Sequence, residues 1–136
     1  MNQAGTRPPR LGYPRQIRLA SRKDVAQVFS RGRYHRLGVL QAKVLATQRA
    51  EARFLVSVSK PVGPAPVRNR LKRLVREALR LHRQALRQAH DVCIYIKPPP
   101  PSGLTFRHIP FGQIEAEVLQ LLGKLNPPLS SKHMGL

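Results

Sequence analysis

The chain has 136 residues, a length typical of one domain, and its 25 Lys and Arg residues against 6 Asp and Glu give a formal net charge of +19. This charge indicates a protein that binds a polyanion, nucleic acid above all, and it is unlike the charge of an ordinary metabolic enzyme. A membrane surface is the rival polyanion, but we find neither an apolar run of about 20 residues nor the apolar core of a signal peptide. We therefore expect a cytoplasmic protein.

The two ends of the chain differ in composition from its middle. Residues 1 to 20 mix Arg with Pro and Gly, which cannot bury enough apolar surface to fold alone, and they predict a basic, flexible N-terminal arm. Residues 21 to 125 carry the regular apolar patterns of one folded domain. Residues 126 to 136 predict a flexible C-terminal tail.

The domain begins with a short predicted helix. Ser21 and Asp24 have the spacing of a capping box, and Gly32 suits the position just after the last helical residue. Phe29 follows Val25 at helical spacing, which favours a core position for Phe29 over one that stacks on bases.

Two β-strands and a proline-rich loop come next. Val39 to Ala46 and Arg53 to Ser59 are rich in β-compatible residues and predict an antiparallel hairpin around residues 47 to 52. Prolines and a glycine interrupt Lys60 to Pro66, so this segment predicts a connecting loop. Its last residue, Pro66, suits the start of the following helix.

The segment from Val67 to Arg87 predicts an amphipathic helix with a dense positive charge. At 100° per residue its apolar residues fall on one side, and a cationic ridge about 20 Å long, suited to a phosphate backbone, falls on the other. Glu77 is its one acid, whereas a solvated helix face normally alternates charges of both signs. The apolar side consists of Leu71, Leu74, Val75, Ala78, Leu81, Ala85 and Leu86, and the ridge of Arg73, Arg76, Arg80, Arg83 and Arg87.

A third strand and a last helix complete the predicted domain. Asp91 to Lys97 alternates apolar residues, and the helix before it allows a parallel β-α-β crossover. Pro98 to Pro101 end this strand and predict a stiff polyproline segment. Together the elements predict a compact α+β domain. The apolar stripe of the last helix consists of Ile114, Val118, Leu121, Leu122 and Leu125.

The sequence is poor in the groups that catalysis or metal binding requires. Its 6 acids form no carboxylate pair, and its 5 histidines lack the spacing of metal ligands. Cys93, the single cysteine, excludes an internal disulfide and is expected to be a buried small hydrophobe. His82 falls on the apolar side of the basic helix and is interpreted as a core histidine. We therefore expect no catalytic residue, no metal site and no cofactor bound by this chain.

Asn69, between Arg68 and Arg70, has two interpretations. Its amide can read a base edge or a ribose hydroxyl, or it can cap the start of the basic helix, and the sequence leaves both open. The neighbouring charges are mostly Arg, whose forked guanidinium favours shaped contacts to phosphate.

The segment from Val56 to Arg80, VSVSKPVGPAPVRNRLKRLVREALR, resembles the signature of the bacterial ribonuclease P protein subunit. The shared pattern joins a Val-Ser-Lys strand end, a Gly-containing loop and an Arg-Asn-Arg helix start, and the resemblance extends over residues 16 to 124. It implies an α+β fold, a small single-domain α/β sandwich similar to a ribosomal protein domain. It also implies a left-handed β-α-β crossover in place of the usual right-handed one.

The resemblance further implies a function and two partners. In this family a catalytic RNA with bound Mg²⁺ hydrolyses precursor tRNA and releases its 5′ leader, and the protein contributes no catalytic residue. The expected partners are therefore the catalytic RNA and precursor tRNA, with neither a membrane nor an obligate protein partner. By position, the residues expected to face the catalytic RNA are Lys60, Arg68, Asn69, Arg70, Lys72, Arg73 and Arg76. Those expected at the leader are Val25, Phe29, Gln41 and Lys43.

The chain departs from the family pattern at several positions. Pro61 and Pro64 replace residues that commonly are Lys and Asn, so the loop loses donors and gains stiffness. Val25 stands where the family often has an aromatic residue, so we expect Phe29 alone to stack on leader bases at the first helix. The alternative function is that of a ribosomal or nucleoid-type nucleic-acid-binding protein without a processing role.

Overall fold

The fold consists of one four-stranded sheet with helices on both faces. We describe it from a computed structural model, which covers residues 17 to 126. In chain order its elements are α1 (Arg22–Arg31), β1 (Arg33–Arg36), β2 (Gln41–Ala46), β3 (Arg53–Val58), α2 (Ala65–His82), β4 (His90–Ile96) and α3 (Phe111–Leu125). Short 3-10 turns lie at Lys60–Val62, Arg83–Ala85 and Phe106–His108.

The strand order in the sheet is β1-β2-β4-β3. Strand β2 pairs antiparallel with both β1 and β4, whereas β3 pairs parallel with β4. The predicted hairpin between residues 39 to 46 and 53 to 59 is therefore wrong, because β4 lies between these two strands. Every residue of β4 except Tyr95 is buried, and a strand that is apolar on both faces is more stable at the centre of a sheet than at its edge.

Strand β1 was missed by the sequence analysis, which placed no strand between Gly32 and Val39. Its sequence, RYHR, is polar, and three of its four residues are exposed. An edge strand of this kind lacks the apolar alternation that identifies a strand in sequence. The hairpin partner of β2 is therefore β1, and not β3 as predicted.

Helix α2 connects β3 to β4, its parallel neighbour, so the predicted parallel β-α-β arrangement is confirmed. The left-handed crossover stays a prediction of the resemblance. Helix α3 agrees with the predicted apolar stripe, since Ile114, Val118, Leu121 and Leu122 are all buried. The chain ends β4 before the proline run and bends at residues 98 and 99, in place of one straight polyproline segment.

Two apolar cores lie on opposite faces of the sheet. The larger one joins the sheet to α2 and α3, and it includes Leu71 of α2, Ile114 of α3 and Ile94 of β4. The smaller one lies beneath α1 and contains Leu19, Val28 and Cys93. Residues of β4 alternate between the two cores, as a strand with period two requires.

Helix α1 has the predicted cap at its start and a different role for glycine at its end. The side chain of Ser21 accepts a hydrogen bond from the backbone N–H of Asp24 at 3.4 Å. Gly32 follows the helix as predicted, but its φ of −80° lies outside the left-handed region. A Cβ atom at Gly32 would lie 2.4 Å from the Val28 carbonyl oxygen and 2.7 Å from that of Val44. Gly32 thus allows α1 to approach β2 closely.

Helix α2 begins earlier and ends earlier than predicted. It starts at Ala65, with Pro66 in the first turn, so Asn69 lies inside the helix and the capping interpretation is wrong. It ends at His82, where a 3-10 turn follows, so the predicted ridge does not continue to Arg87 as one helical face. The buried side consists of Val67, Leu71, Val75, Ala78 and Leu79, while Leu81 is 47% exposed, contrary to prediction.

The folded domain extends beyond both of its predicted ends. Ile17 and Leu19, assigned to the flexible arm, are buried, and the Leu19 N–H donates to the Phe54 carbonyl at 2.9 Å. Asn126, assigned to the tail, accepts from the Arg87 N–H at 2.6 Å. The remainder of the arm and of the tail lies outside the described residues. Within residues 17 to 126, no helix has the length and apolar character needed to cross a membrane.

Candidate nucleic-acid interface

An open groove of about 480 Å³, here called the α2 groove, follows the solvent side of α2. Its one acid, Glu77, accepts a hydrogen bond from Arg80 Nε at 3.0 Å, and this bond lowers the pKa of the Glu77 carboxyl. The paired carboxylate is therefore already committed to Arg80. The residues lining the groove are Asn69, Lys72, Arg73, Arg76, Glu77 and Arg80.

Three cations of the α2 groove are without an acidic partner. Within the described residues, Lys72, Arg73 and Arg76 form no ion pair and no side-chain hydrogen bond. Their positions on one helix face, three and four residues apart, present several donors to a single line of anionic groups. Asn69 is exposed one turn before Arg73, so its amide can donate or accept beside these charges.

The remaining predicted catalytic-RNA residues lie outside this groove, two in the first turns of α2 and one in the turn that follows β3. Arg68 Nε donates to the Gly63 carbonyl oxygen at 3.0 Å, which ties the loop to the helix. Arg70 reaches the Arg107 carbonyl oxygen at 3.5 Å, at the 3-10 turn that precedes α3. Lys60 is exposed in the turn that follows β3. Arg68 thus has a structural role in addition to any contact with a ligand, whereas the contact of Arg70 is long and exposed.

A second surface, here called the α1 cleft, lies between α1 and the sheet face opposite α2. It contains an apolar cavity of about 280 Å³ lined by residues of α1, β3 and β4. The rings of Phe29 and Tyr95 meet there with centroids 5.9 Å apart, and Lys97 Nζ lies 5.9 Å from the Tyr95 ring centroid. Phe29 is 43% exposed, so the core position predicted for it is wrong.

The register of β1 and β2 extends this cleft to the sheet edge. Tyr34 lies opposite Lys43, and the Tyr34 hydroxyl donates to Gln41 Oε1 at 2.9 Å. Lys43 Nζ donates to the Phe29 carbonyl oxygen at 3.3 Å. With Tyr95, three aromatic rings and the Lys43 ammonium therefore occupy one side of the sheet.

The four predicted leader residues separate into two groups. Phe29 and Lys43 lie at the open cleft, whereas Gln41 is 5% exposed and supports the Tyr34 hydroxyl. Val25 packs on the small core beneath α1. Lys97 was missed, although it lies just after β4 and two residues beyond Tyr95, and this alternation is the sequence signal that would have placed both on one face.

Helix α1 is held against the sheet by one arginine of β3. The Arg53 guanidinium lies 3.1 Å from Asp24 Oδ2 on α1 and 2.7 Å from Asp91 Oδ2 on β4. The hydrogen bond to Asp91 is the main cause that raises the pKa of Arg53. This contact fixes the helix that forms one wall of the α1 cleft.

All acids of the chain have partners inside the fold. Glu51 lies 3.6 Å from Arg83, and Glu115 lies 2.7 Å from His82. His82 is therefore a partly exposed member of an α2–α3 pair and not the core histidine predicted. Glu117 accepts from the Val39 and Leu40 N–H groups at 3.0 and 2.8 Å. Within the described residues, no three His, Cys, Asp or Glu side chains are grouped as metal ligands.

Cys93 is buried beneath α1, which confirms the sequence prediction. Burial, with a smaller contribution from the Asp91 charge, raises the pKa of its thiol to about 11. The thiol is therefore protonated at neutral pH and behaves as an apolar side chain.

The fold and its two cationic surfaces define a small α+β protein suited to bind a polyanion. The family model described as Ribonuclease P matches residues 13 to 126. The chain is 30% identical over 112 residues to the ribonuclease P protein component of Dictyoglomus thermophilum, which covers 82% of this chain and 90% of that protein. It is 34% identical over 114 residues to that of Desulfovibrio desulfuricans, with 82% and 85% covered.

Solved structures of the same kind share the fold. The ribonuclease P protein from Thermotoga maritima superposes with a TM-score of 0.69 at 23% identity, covering 81% of this chain and 98% of that one. The Staphylococcus aureus protein gives 0.66 at 21% identity, with 79% and 94% covered. The chain belongs to the ribonuclease P protein family.

Proposed function

We propose that this chain is the protein subunit of ribonuclease P, and that it binds the catalytic RNA and the 5′ leader of precursor tRNA. The observation that carries this proposal is the α2 groove, where Lys72, Arg73 and Arg76 have no acidic partner while each acid of the chain already has a different partner. Unneutralised charge on a rigid helix costs self-repulsion, and a polyanion relieves it.

The α2 groove is assigned to the catalytic RNA. Arg73 and Arg76 are exposed and without internal partners, so both guanidiniums are free to make forked contacts with phosphate oxygens. Arg68 ties the loop before α2 to the helix, which helps to hold the groove in position. Arg68 and Arg70 also add charge at the end of the groove.

The α1 cleft is assigned to the single-stranded leader. Phe29, Tyr34 and Tyr95 offer rings on which unpaired bases can stack, at about 1 to 3 kcal/mol per base. Lys43 and Lys97 place positive charge beside these rings for the backbone phosphates. Such a cleft tolerates any base, because every base has a π-face.

The sheet separates these two surfaces, with α2 on one face and α1 on the other. One protein molecule can therefore contact the catalytic RNA and the leader at the same time. By screening the repulsion between two RNA backbones, it would favour substrate binding and Mg²⁺ binding at the RNA.

Hydrolysis and Mg²⁺ are assigned to the RNA subunit. The chemistry of the side chains supports this assignment, because the carboxylates that Mg²⁺ prefers are held by arginines, a histidine or backbone N–H groups. The protein's contribution is then to bind and orient RNA.

A reconstitution experiment tests the proposal. The full chain is combined with the catalytic RNA at low Mg²⁺, and cleavage of precursor tRNA is measured with and without protein. We expect the protein to raise the rate, and the double variant Arg73→Gln, Arg76→Gln to lose most of this gain.

The matched control is Arg22→Gln, Lys23→Gln, which removes the same charge from exposed positions in the first turn of α1. It should retain the gain within about twofold, because these residues lie outside both surfaces. A protein that leaves the rate unchanged would fit the ribosomal or nucleoid-type alternative, and cleavage without the RNA would contradict the assignment of chemistry.

A further inference from the structure

A third cavity, here called the β1–α3 pocket, lies where β1 and β2 meet the last turn of α3. Its volume is about 370 Å³. None of its lining residues is an acid. Its nitrogen-bearing side chains are Arg31, Arg33, His35, His90 and Lys124.

The charges at the β1–α3 pocket are not neutralised inside the fold. Between residues 17 and 126, neither Arg33 nor Lys124 makes an ion pair or a side-chain hydrogen bond. The guanidinium of Arg31 reaches only the neutral Gln27 Oε1, at 3.3 Å. Three positive charges therefore border one cavity without a counter-charge.

His35 also lines this pocket. Its Nε2 atom is buried and has no hydrogen-bond partner among the described residues. Burial, followed by the charges of Lys124, Arg33 and His90, lowers the pKa of His35. A lowered pKa favours the neutral imidazole, so His35 adds no charge of its own and reports on the pocket that its ring lines.

The β1–α3 pocket is separate from the two surfaces described above. Arg33 and His35 alternate with Tyr34 along β1, so they lie on the α2 and α3 side of the sheet, while Tyr34 points to the α1 cleft. The α2 groove is lined by α2 alone. A ligand in this pocket would therefore contact the edge of the sheet and the ends of α1 and α3.

We propose that the β1–α3 pocket binds a phosphate group, held by Arg31, Arg33 and Lys124 beside the ring of His35. A phosphate group presents its oxygens in a tetrahedral arrangement, whereas a carboxylate presents two in one plane, so a phosphate suits cations that come from several elements better. The phosphate is either a phosphodiester of an RNA backbone or a free phosphate. This proposal does not rest on the proposed function, because its first test uses inorganic phosphate alone.

The first experiment follows the imidazole signals of His35 by NMR in the full chain. Inorganic phosphate is added at constant ionic strength, with chloride as the exchanged anion. We expect a saturable shift of the His35 signals, and a dissociation constant weakened at least about tenfold in the variant Arg33→Gln, Lys124→Gln.

The control variant Arg22→Gln, Lys23→Gln removes two charges from exposed positions of α1 and should change the dissociation constant less than about twofold. Thermal unfolding of each variant verifies that it is folded. A shift that does not saturate, or an equal loss in both variants, would overturn the proposal.

The second experiment distinguishes the two sources of phosphate, using the catalytic RNA. If an RNA phosphodiester occupies the pocket, bound RNA prevents inorganic phosphate from shifting His35. Arg33→Gln, Lys124→Gln then lowers the slope of log affinity against log salt by about 0.7 to 0.9 per lost contact. If the ligand is free phosphate, it still shifts His35 in the complex, and the slope is that of the wild-type protein.

Discussion

Arg53 on β3 and Asp91 on β4 form a two-point ion pair across neighbouring parallel strands. Arg53 Nε lies 2.9 Å from Asp91 Oδ1, and a terminal guanidinium nitrogen lies 2.7 Å from Oδ2. The two side chains are 14% and 7% exposed, and the same guanidinium reaches Asp24 of α1. One arginine therefore joins two strands to the helix that walls the α1 cleft.

Replacing this arginine should destabilise the fold strongly. In Arg53→Met the Asp91 carboxylate stays buried without its partner, and loss of one member of a buried pair costs about 3 to 5 kcal/mol. The free energy of unfolding, measured with urea, reports this loss. Arg49→Met is the control, because Arg49 meets Asp24 at 3.6 Å from a side chain that is 50% exposed, and it should cost less than about 1 kcal/mol. Equal losses in the two variants would contradict the role given to Arg53.

These contacts show which parts of the fold the sequence predicts. Periodicity is a local property, so all three helices and the strands β2, β3 and β4 are found within a few residues. Strand order depends on contacts between distant segments, and alternation in β2 and β3 gives no signal that β4 separates them. The buried pattern of β4 on both faces is the one feature of the sequence that indicates a central strand.

The same distinction applies to the candidate site. The Arg-Asn-Arg segment is continuous in sequence, so a family pattern locates it at the start of α2. The α1 cleft joins Phe29, Tyr34, Tyr95 and Lys97 from three elements, and their proximity follows from the register of the sheet. The hydrogen bond from Arg68 to the Gly63 carbonyl oxygen also depends on the loop geometry, which cannot be predicted from the sequence.

Gly32 should not tolerate a side chain. In Gly32→Ala the new Cβ would lie within 2.7 Å of two backbone carbonyl oxygens, so α1 or β2 must shift, at about 1 to 3 kcal/mol. The control is Gly123→Ala in α3, where no atom lies within 4 Å of an added Cβ. That change should raise the free energy of unfolding by about 0.5 to 1 kcal/mol, because alanine favours the helix. Urea unfolding measures both, and a neutral Gly32→Ala would contradict the close approach.

Cys93 should be unreactive in the folded protein. With a thiol pKa of about 11, about one molecule in a thousand carries the thiolate at pH 8, and burial blocks access to it. Reaction with a thiol reagent should be slow in buffer and fast in guanidinium chloride, and fast labelling of the folded chain would contradict the burial.

The pKa of the Cys93 thiol is raised on folding, so the thiol's contribution to stability is present below pH 9 and is lost as the pH rises towards 11. The free energy of unfolding, measured from pH 8 to pH 11, should fall more in the wild type than in Cys93→Ala, which has no thiol to ionise. An equal fall in both would contradict the raised pKa.

Phe29 should matter for substrates with a leader and not for those without one. Phe29→Ala removes a half-exposed ring from the α1 cleft, and loss of one stacked base costs about 1 to 3 kcal/mol in binding. We expect the reconstituted complex to bind precursor tRNA with a long leader about 5- to 150-fold more weakly, while a substrate with a one-nucleotide leader is unaffected. The control is Leu119→Ala on α3, which is also 43% exposed and lies on the other side of the sheet. An equal loss for both substrates would indicate that Phe29 stabilises the fold or the catalytic-RNA contact, and the assignment of the cleft to the leader would then be wrong.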